Sequence, residues 1–246
     1  MIDHGVALAA NLQGTVELRQ ASLDAGCTVV ERCRNLLPAE MSSILALCES
    51  QDPVTLILDS AATIKPDLIV MDTRGRSRMM QVFGGSVSHH ILLHATVPTL
   101  IVKVEARPIA RVLVAVLGRE DSTRLQTWLT AHSFKNPVAV TILSVVPPIH
   151  LMDPHVRVKL EGLSEQNRQD AEQVVNDTAR ALAGPHFTVS TDVRMGDPVK
   201  TVCEVGQSHD LIVLSSHGRK GFNRFILGSM SEKIAHRAER SVLVVR

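Results

Sequence analysis

The chain has 246 residues, 45% of them hydrophobic and 21% charged, with a formal net charge of +1. This composition supports a buried core and supplies no overall field to attract nucleic acid or an anionic membrane. Aromatic residues make up 2%, with no Tyr and a single Trp, Trp128, too few for the stacking platforms of a single-strand nucleic-acid binder.

The start, Met1-Ile2-Asp3-His4, lacks the basic and apolar regions of a signal peptide. No apolar run approaches the ~18 residues that a membrane helix needs. The cysteines Cys27, Cys33, Cys48 and Cys203 form no CxxC pair and no metal-ligand spacing. A soluble cytoplasmic protein with reduced thiols is expected.

In chain order, Val6 to Leu12 reads as a strand and Val16 to Leu37 as a long helix. Arg34 to Pro53 lines up with Arg180 to Pro198, and both stretches end in Asp-Pro. Asp52-Pro53 and Asp197-Pro198 each read as a helix start, with Asp as cap and Pro at the first helical position. Asp67 to Lys103 then aligns without a gap on Asp210 to Arg246, at an offset of 143 and with about a third of positions identical. The shared positions include the pairs Gly75/Gly218, Gly85/Gly228 and Ser86/Ser229. Such self-similarity marks a duplicated unit. Nothing in the first half corresponds to Arg111 to His132, so the opening strand and helix of the first unit are missing. The alternative is that Val6 to Leu12 is that opening strand and a later element is lost; the longer Arg34 to Pro53 match favours the first reading. Glu105-Ala106-Arg107-Pro108 is the linker.

The second half reads more clearly. Arg111 to Val116 is apolar without polar alternation, as in a parallel strand covered on both faces. Gly118 to Asp121 turns the chain, and Asp121 or Ser122 caps a helix through about His132, with Leu125, Trp128 and Leu129 on one face. Pro137 to Val146 is a second strand, followed by a loop through His150, Asp153 and His155. A helix from about Glu161 to Leu182 ends at Gly184-Pro185. Phe187 to Met195 is a strand, a helix follows from Pro198, and Leu211 to Leu214 is a strand. Ser229 to about Ala238 is a helix, and Ser241 to Val245 the last strand. Strands alternating with helices imply right-handed crossovers and an open, mostly parallel sheet, with ligands bound beyond the carboxyl ends of the strands.

A glycine-punctuated loop stands between strand and helix in each copy. Gly218 and Gly228 can take positive φ and carry no side chain to hold phosphate away. Gly228-Ser229 opens a helix whose free amides favour an anion. Ser229 and Ser231 add hydroxyls, and Arg219, Lys220 and Arg224 add charge. The second copy reads Ser215, two residues, Gly218, nine residues, Gly228, Ser229; the first reads Asp72, two residues, Gly75, nine residues, Gly85, Ser86.

This double loop, each time after Asp-Leu-Ile-Val and before an apolar final strand, resembles the universal stress protein family in its tandem form. The family's loop is Gly, two residues, Gly, nine residues, Gly, then Ser or Thr. The likeness covers residues 112–246 well and 34–103 in part. It implies two α/β domains of the adenine nucleotide alpha hydrolase-like, Rossmann-like class, at 1–104 (lacking its first strand and helix) and 109–246. It also implies pairing through the last strands, Thr99 to Lys103 with Ser241 to Val245. The implied role is a cytoplasmic regulatory or binding module of the stress response, forming homo-oligomers and having no nucleic-acid or membrane partner. The implied ligand is ATP or AMP, with magnesium, held by Val116, Val145, Ser215, Gly218, Arg219, Gly228, Ser229, Met230 and Ser231.

Three departures motivate a second reading, a nucleotide-independent interaction protein. Ser215 and Asp72 replace the first loop glycine, Asp72 placing negative charge where a nucleotide would lie. Leu117 stands where the family's aspartate reads the adenine. Other constellations have plainer roles: His89, His90 and His94 as solvated helix residues, His150, Asp153 and His155 as a surface loop, His217 as a loop contact and Asp197 as a helix cap. No nucleophile, acid and base assemble into a catalytic set.

Overall fold

The computed structural model describes residues 3–36, 48–49, 51–72, 86–105, 107–132, 134–148, 157–216 and 227–246. It divides into two compact units, Met1–Leu56 and Ile57–Arg246.

The first unit is dominated by α1 (Asp3–Asn35). The strand expected at Val6 to Leu12 is therefore helix. That stretch is built of Ala, Leu and Asn with a single β-branched residue, Val6, and Ala and Leu are strong helix formers. The described side chains of α1 are exposed or half-buried. Cys48 Sγ donates to Leu23 O at 3.4 Å. Helix α2 (Pro53–Ile64) begins where the Asp-Pro signal places it, with Asp52 Oδ2 accepting from Thr55 N at 2.9 Å.

The second unit contains a seven-stranded sheet. Its elements are β1 (Ile69–Asp72), α3 (Ser86–His94), β2 (Thr99–Val102), β3 (Arg111–Ala115), α4 (Arg119–Ala131), β4 (Val138–Val146), α5 (Arg157–Leu182), β5 (Phe187–Met195), α6 (Pro198–Gly206), β6 (Leu211–Ser215), α7 (Ser229–Arg237) and β7 (Ser241–Val245). The strand order is β1-β2-β7-β6-β3-β4-β5. Every neighbouring pair is parallel except β2 with β7, which run antiparallel with Leu100 opposite Leu243. The expected pairing of the two last strands is thus present, and it joins both copies in one sheet.

Strands β3, β6 and β7 are buried almost end to end, as apolar runs without alternation require when helices cover both faces. On one face Leu113, Ala115, Ile212, Leu214, Val242 and Val244 pack with Val199, Val202, Ile234 and Ala235 of α6 and α7. On the other face Val112, Val114, Val213, Leu243 and Val245 pack with Leu125, Leu129, Val174 and Val175 of α4 and α5. Among the described residues strand β1 pairs only with β2, and its Val70 is 59% exposed. Among the described residues, the first copy contributes two strands to this sheet against five from the second.

Two local expectations are corrected. Helix α4 begins at Arg119, with Gly118 at the cap position and no side chain capping it. Asp121 and Ser122 lie inside its first turn and are 5% exposed, and Ser122 Oγ lies 2.7 Å from Thr178 Oγ1 of α5. Ser122 thus ties two helices together instead of starting one. Helix α5 starts one turn earlier than expected, at Arg157.

Candidate functional site

The chain leaves β3 toward β4 and β5 on one side and places β6 and β7 on the other. The strand order reverses at the β3–β6 boundary, where the two outgoing crossovers separate and leave a crevice beyond the carboxyl ends. Val116 continues β3, donating its amide to Leu143 O at 2.9 Å, and is fully buried; Val145 near the end of β4 is 3% exposed. Both belong to the hydrophobic core, Val116 in the cluster on one face of the sheet and Val145 in the cluster on the other, and neither offers a polar group from its side chain.

The end of β6 is polar and fully engaged. Ser215, 3% exposed, accepts at Oγ from Arg124 Nη1 at 2.8 Å, and its carbonyl accepts from Ser231 Oγ at 2.7 Å. Ser216 N donates to Val245 O at 2.8 Å, and Gly228 N donates to Ser216 O at 2.6 Å. This last bond closes the base of the glycine loop, so the chain returns to the sheet where it left. Gly218 and Arg219 lie outside the described residues.

Gly228 caps α7 with φ −62° and ψ 140°. It does not use the positive φ that glycine allows, and extended backbone is the ordinary conformation before a helix. The first helical bond is Glu232 N to Gly228 O at 3.0 Å. Helix geometry therefore leaves the amides of Ser229, Met230 and Ser231 without a partner inside α7. Those amides, and not that of Gly228, are the ones the helix itself leaves unpaired. The Ser229 side chain is exposed, Met230 packs against the core, and the Ser231 hydroxyl is already spent on Ser215.

A cavity of about 300 Å³ opens between the end of β3 and α5, lined by Leu117, Gly118, Arg119, Ser144, Asn167 and Asp170 together with Ala171 and Val174. Leu117 confirms that β3 delivers no carboxylate here. Asn167 and Asp170 bring an amide and a carboxylate from α5 instead. Sequence reasoning missed both, because they sit one turn apart on a helix full of polar residues and nothing local distinguishes the turn that faces the crevice.

Other candidates separate from this site. His90 and His94 stack at 6.4 Å, and His90 Nδ1 lies 2.8 Å from Ser86 O. Among the described residues no three His, Cys, Asp or Glu side chains converge on a metal position. Asp197 caps α6, accepting from Lys200 N at 2.7 Å. His150, Asp153, His155 and His217 lie outside the described residues. No helix among the described residues is long and apolar enough to cross a membrane.

Comparison with known proteins gives this arrangement a family. The sequence model of the universal stress protein family matches residues 43–103 and 108–246. A universal stress protein of Mycolicibacterium smegmatis is 26% identical over 200 residues, which are 75% of this chain and 63% of that protein. Another, of Mycobacterium tuberculosis, is 27% identical over 256 residues, 99% of this chain and 77% of that protein. The chain thus spans less of the first relative's length, 63%, than of the second's. Among solved structures, a putative universal stress protein from Pseudomonas aeruginosa UCBPP-PA14 has a TM-score of 0.60 at 17% identity, over 92% of this chain and 77% of that one. A protein from Pseudomonas aeruginosa PAO1 described as functionally unknown has a TM-score of 0.61 at 17% identity over the same shares. At these identities the structural likeness speaks for the fold alone.

Proposed function

The chain belongs to the universal stress protein family, and from that premise we propose that it is a regulatory binding module whose second copy takes ATP or AMP. The observation that carries this reading is the start of α7, which follows β6 at the strand-order reversal and leaves three amides without helical partners; a cavity of about 300 Å³ lies across that reversal, between the end of β3 and α5. The phosphates lie over Ser229, Met230 and Ser231, with the exposed Ser229 hydroxyl beside them. The base and ribose enter toward Leu117, Asn167 and Asp170, so that α5 replaces the missing aspartate of β3. Magnesium would be carried by the phosphates of the bound nucleotide. In this reading residues 109–246 form the ligand-binding domain and residues 1–104 the partner domain, in a cytoplasmic stress response. The open edge of β1 would support a homo-oligomer.

Calorimetry of the full chain with ATP and magnesium tests the proposal. Saturable heat that disappears in Gly228→Val supports it; no heat at millimolar nucleotide removes it. A second reading, an interaction protein independent of nucleotide, is favoured by one specific observation. The Ser215 hydroxyl and the Ser231 hydroxyl are both held in internal hydrogen bonds, which takes polar groups away from a ligand. Absence of heat together with capture of the same cellular partner by wild type and Gly228→Val would select it.

A further inference from the structure

On the opposite flank of α4 lies a larger cavity, about 640 Å³, with Thr123, Arg124, Thr127, Trp128, His132 and Arg246 on its walls and Val245 at its base. Two of these lining side chains carry three buried donors that have no acceptor among the described residues. Arg246 Nε and Nη1 and Trp128 Nε1 are buried without a hydrogen-bond partner. The remaining guanidinium nitrogen, Arg246 Nη2, donates to Leu92 O. Burial pushes the Arg246 guanidinium below its ordinary pKa, a sign that its charge is poorly compensated. A cation and an indole N–H held away from water without partners are costly, and they mark a place where an acceptor is lacking.

The rest of the wall says what kind of acceptor fits. Trp128 and His132 stack at 4.5 Å with an interplanar angle of 13°, presenting a layered aromatic surface. Arg124 adds a second guanidinium, and Glu120 is the single acidic side chain among the lining residues. The charge balance favours an anion, and the stacked rings favour a flat apolar body.

We propose that this groove is a second ligand site, for a small planar organic anion of the aryl carboxylate or aryl sulfonate class. Its anionic group accepts from Arg246, whose terminal torsion turns Nε and Nη1 into the groove, and its ring lies against Trp128. The site is separate from the crevice at α7; Arg124 lines the groove and also donates to Ser215 Oγ at the end of β6. The proposal stands on the groove alone and does not depend on nucleotide binding.

Trp128 makes the test direct, because the chain has one Trp and no Tyr, so intrinsic emission reports this groove alone. The probe is 1-anilinonaphthalene-8-sulfonate, titrated into the full chain, with 2-naphthoate and its neutral counterpart 2-naphthalenemethanol as competitors. The expected result is saturable quenching of Trp128 at one probe per chain. It is reversed by naphthoate but not by the neutral alcohol, and it is unaffected by ATP or by Gly228→Val. Arg246→Gln weakens it roughly tenfold, the value of a lost charge-assisted bond. Should that variant unfold, the difference between naphthoate and its alcohol on wild type still decides. Equal competition by the two would reduce the groove to an apolar patch and overturn the proposal. So would unchanged affinity in a folded Arg246→Gln, no quenching at millimolar probe, or quenching governed by protein concentration, which would assign the groove to a second copy of the chain.

Discussion

Asp210 and Arg111 hold each other at both ends: Asp210 N donates to Arg111 O at 2.8 Å, and Arg111 N donates to Asp210 Oδ2 at 2.8 Å. The same carboxylate accepts from Ala110 N at 3.0 Å and pairs with Arg107 at 2.9 Å. One side chain at the start of β6 thus fixes the linker and the start of β3. Burial pushes its carboxyl up, while the Ala110 and Arg111 amides and the Arg107 guanidinium overcome that and hold it below the usual carboxylate range. Asp210→Ala leaves two amides without their acceptor and is expected to cost about 2–3 kcal/mol in urea unfolding. A carboxyl with a lowered folded pKa contributes stability above its unfolded value, about 3.9, and loses it as pH falls. The gap between wild type and Asp210→Asn should therefore narrow below about pH 4. An unchanged gap at pH 3 and pH 7 would contradict this account.

The repeat gives that residue a counterpart, Asp67, which is exposed. In the second copy the equivalent aspartate is met by the start of β3; the first copy has no such strand among the described residues. This asymmetry explains what the sequence could carry. Strands β3, β6 and β7 are legible because each is a short apolar run, which burial on both faces demands, whereas β5 at the sheet edge mixes polar and apolar residues and is only half-buried. Asp52-Pro53 and Asp197-Pro198 are legible because a cap and an N1 proline act locally. Val6 to Leu12 misleads because a short apolar run has no period of its own to tell helix from strand. The glycine loop foretells where α7 begins, but not that Gly228 N is taken by Ser216 O, nor that Asn167 and Asp170 line a cavity with Leu117. Those are tertiary facts, fixed by the packing of α5 and β6 and not by any neighbouring residue.

Lys103 supplies a pH-dependent test of the joint between the copies. It follows β2, and its Nζ donates to Ala238 O at 2.7 Å and His236 O at 3.1 Å, closing the end of α7 where the helix dipole favours a cation. Burial nonetheless lowers its pKa to about 8. Below about pH 8 the ammonium is charged in both states, and the burial cost is fully present. Between there and the unfolded value near 10.4 the unfolded chain binds more protons, so stability from this group rises with pH. Relative to Lys103→Met, the wild type should gain stability from pH 8 to pH 10 in urea titrations. A constant difference across that window would mean that the amine titrates as though exposed.

Gly206 ends α6 against the most buried part of β6, and it tests how tightly that face is packed. A Cβ at this position would collide with Ile212 Cδ1 and lie 3.1 Å from Ile212 Cγ1. Ile212 is 1% exposed and packs in the same cluster as Leu113, so its side chain has little room to retreat. Replacing glycine in a helix by alanine ordinarily gains up to about 1 kcal/mol. Overpacking a core costs about 1–3 kcal/mol, so the net effect of Gly206→Ala should be loss of stability. Ile212→Val alone should cost about 0.5–1.5 kcal/mol by leaving a small void. The two changes are complementary, because the methyl added at 206 enters the space vacated by Cδ1. In a double-mutant cycle the combined loss should fall below the sum of the single losses by more than the ~0.5 kcal/mol typical of independent sites. Strict additivity would show that α6 relieves the contact by shifting as a body, and that the close approach of Gly206 to β6 is not what sets the spacing of helix and sheet.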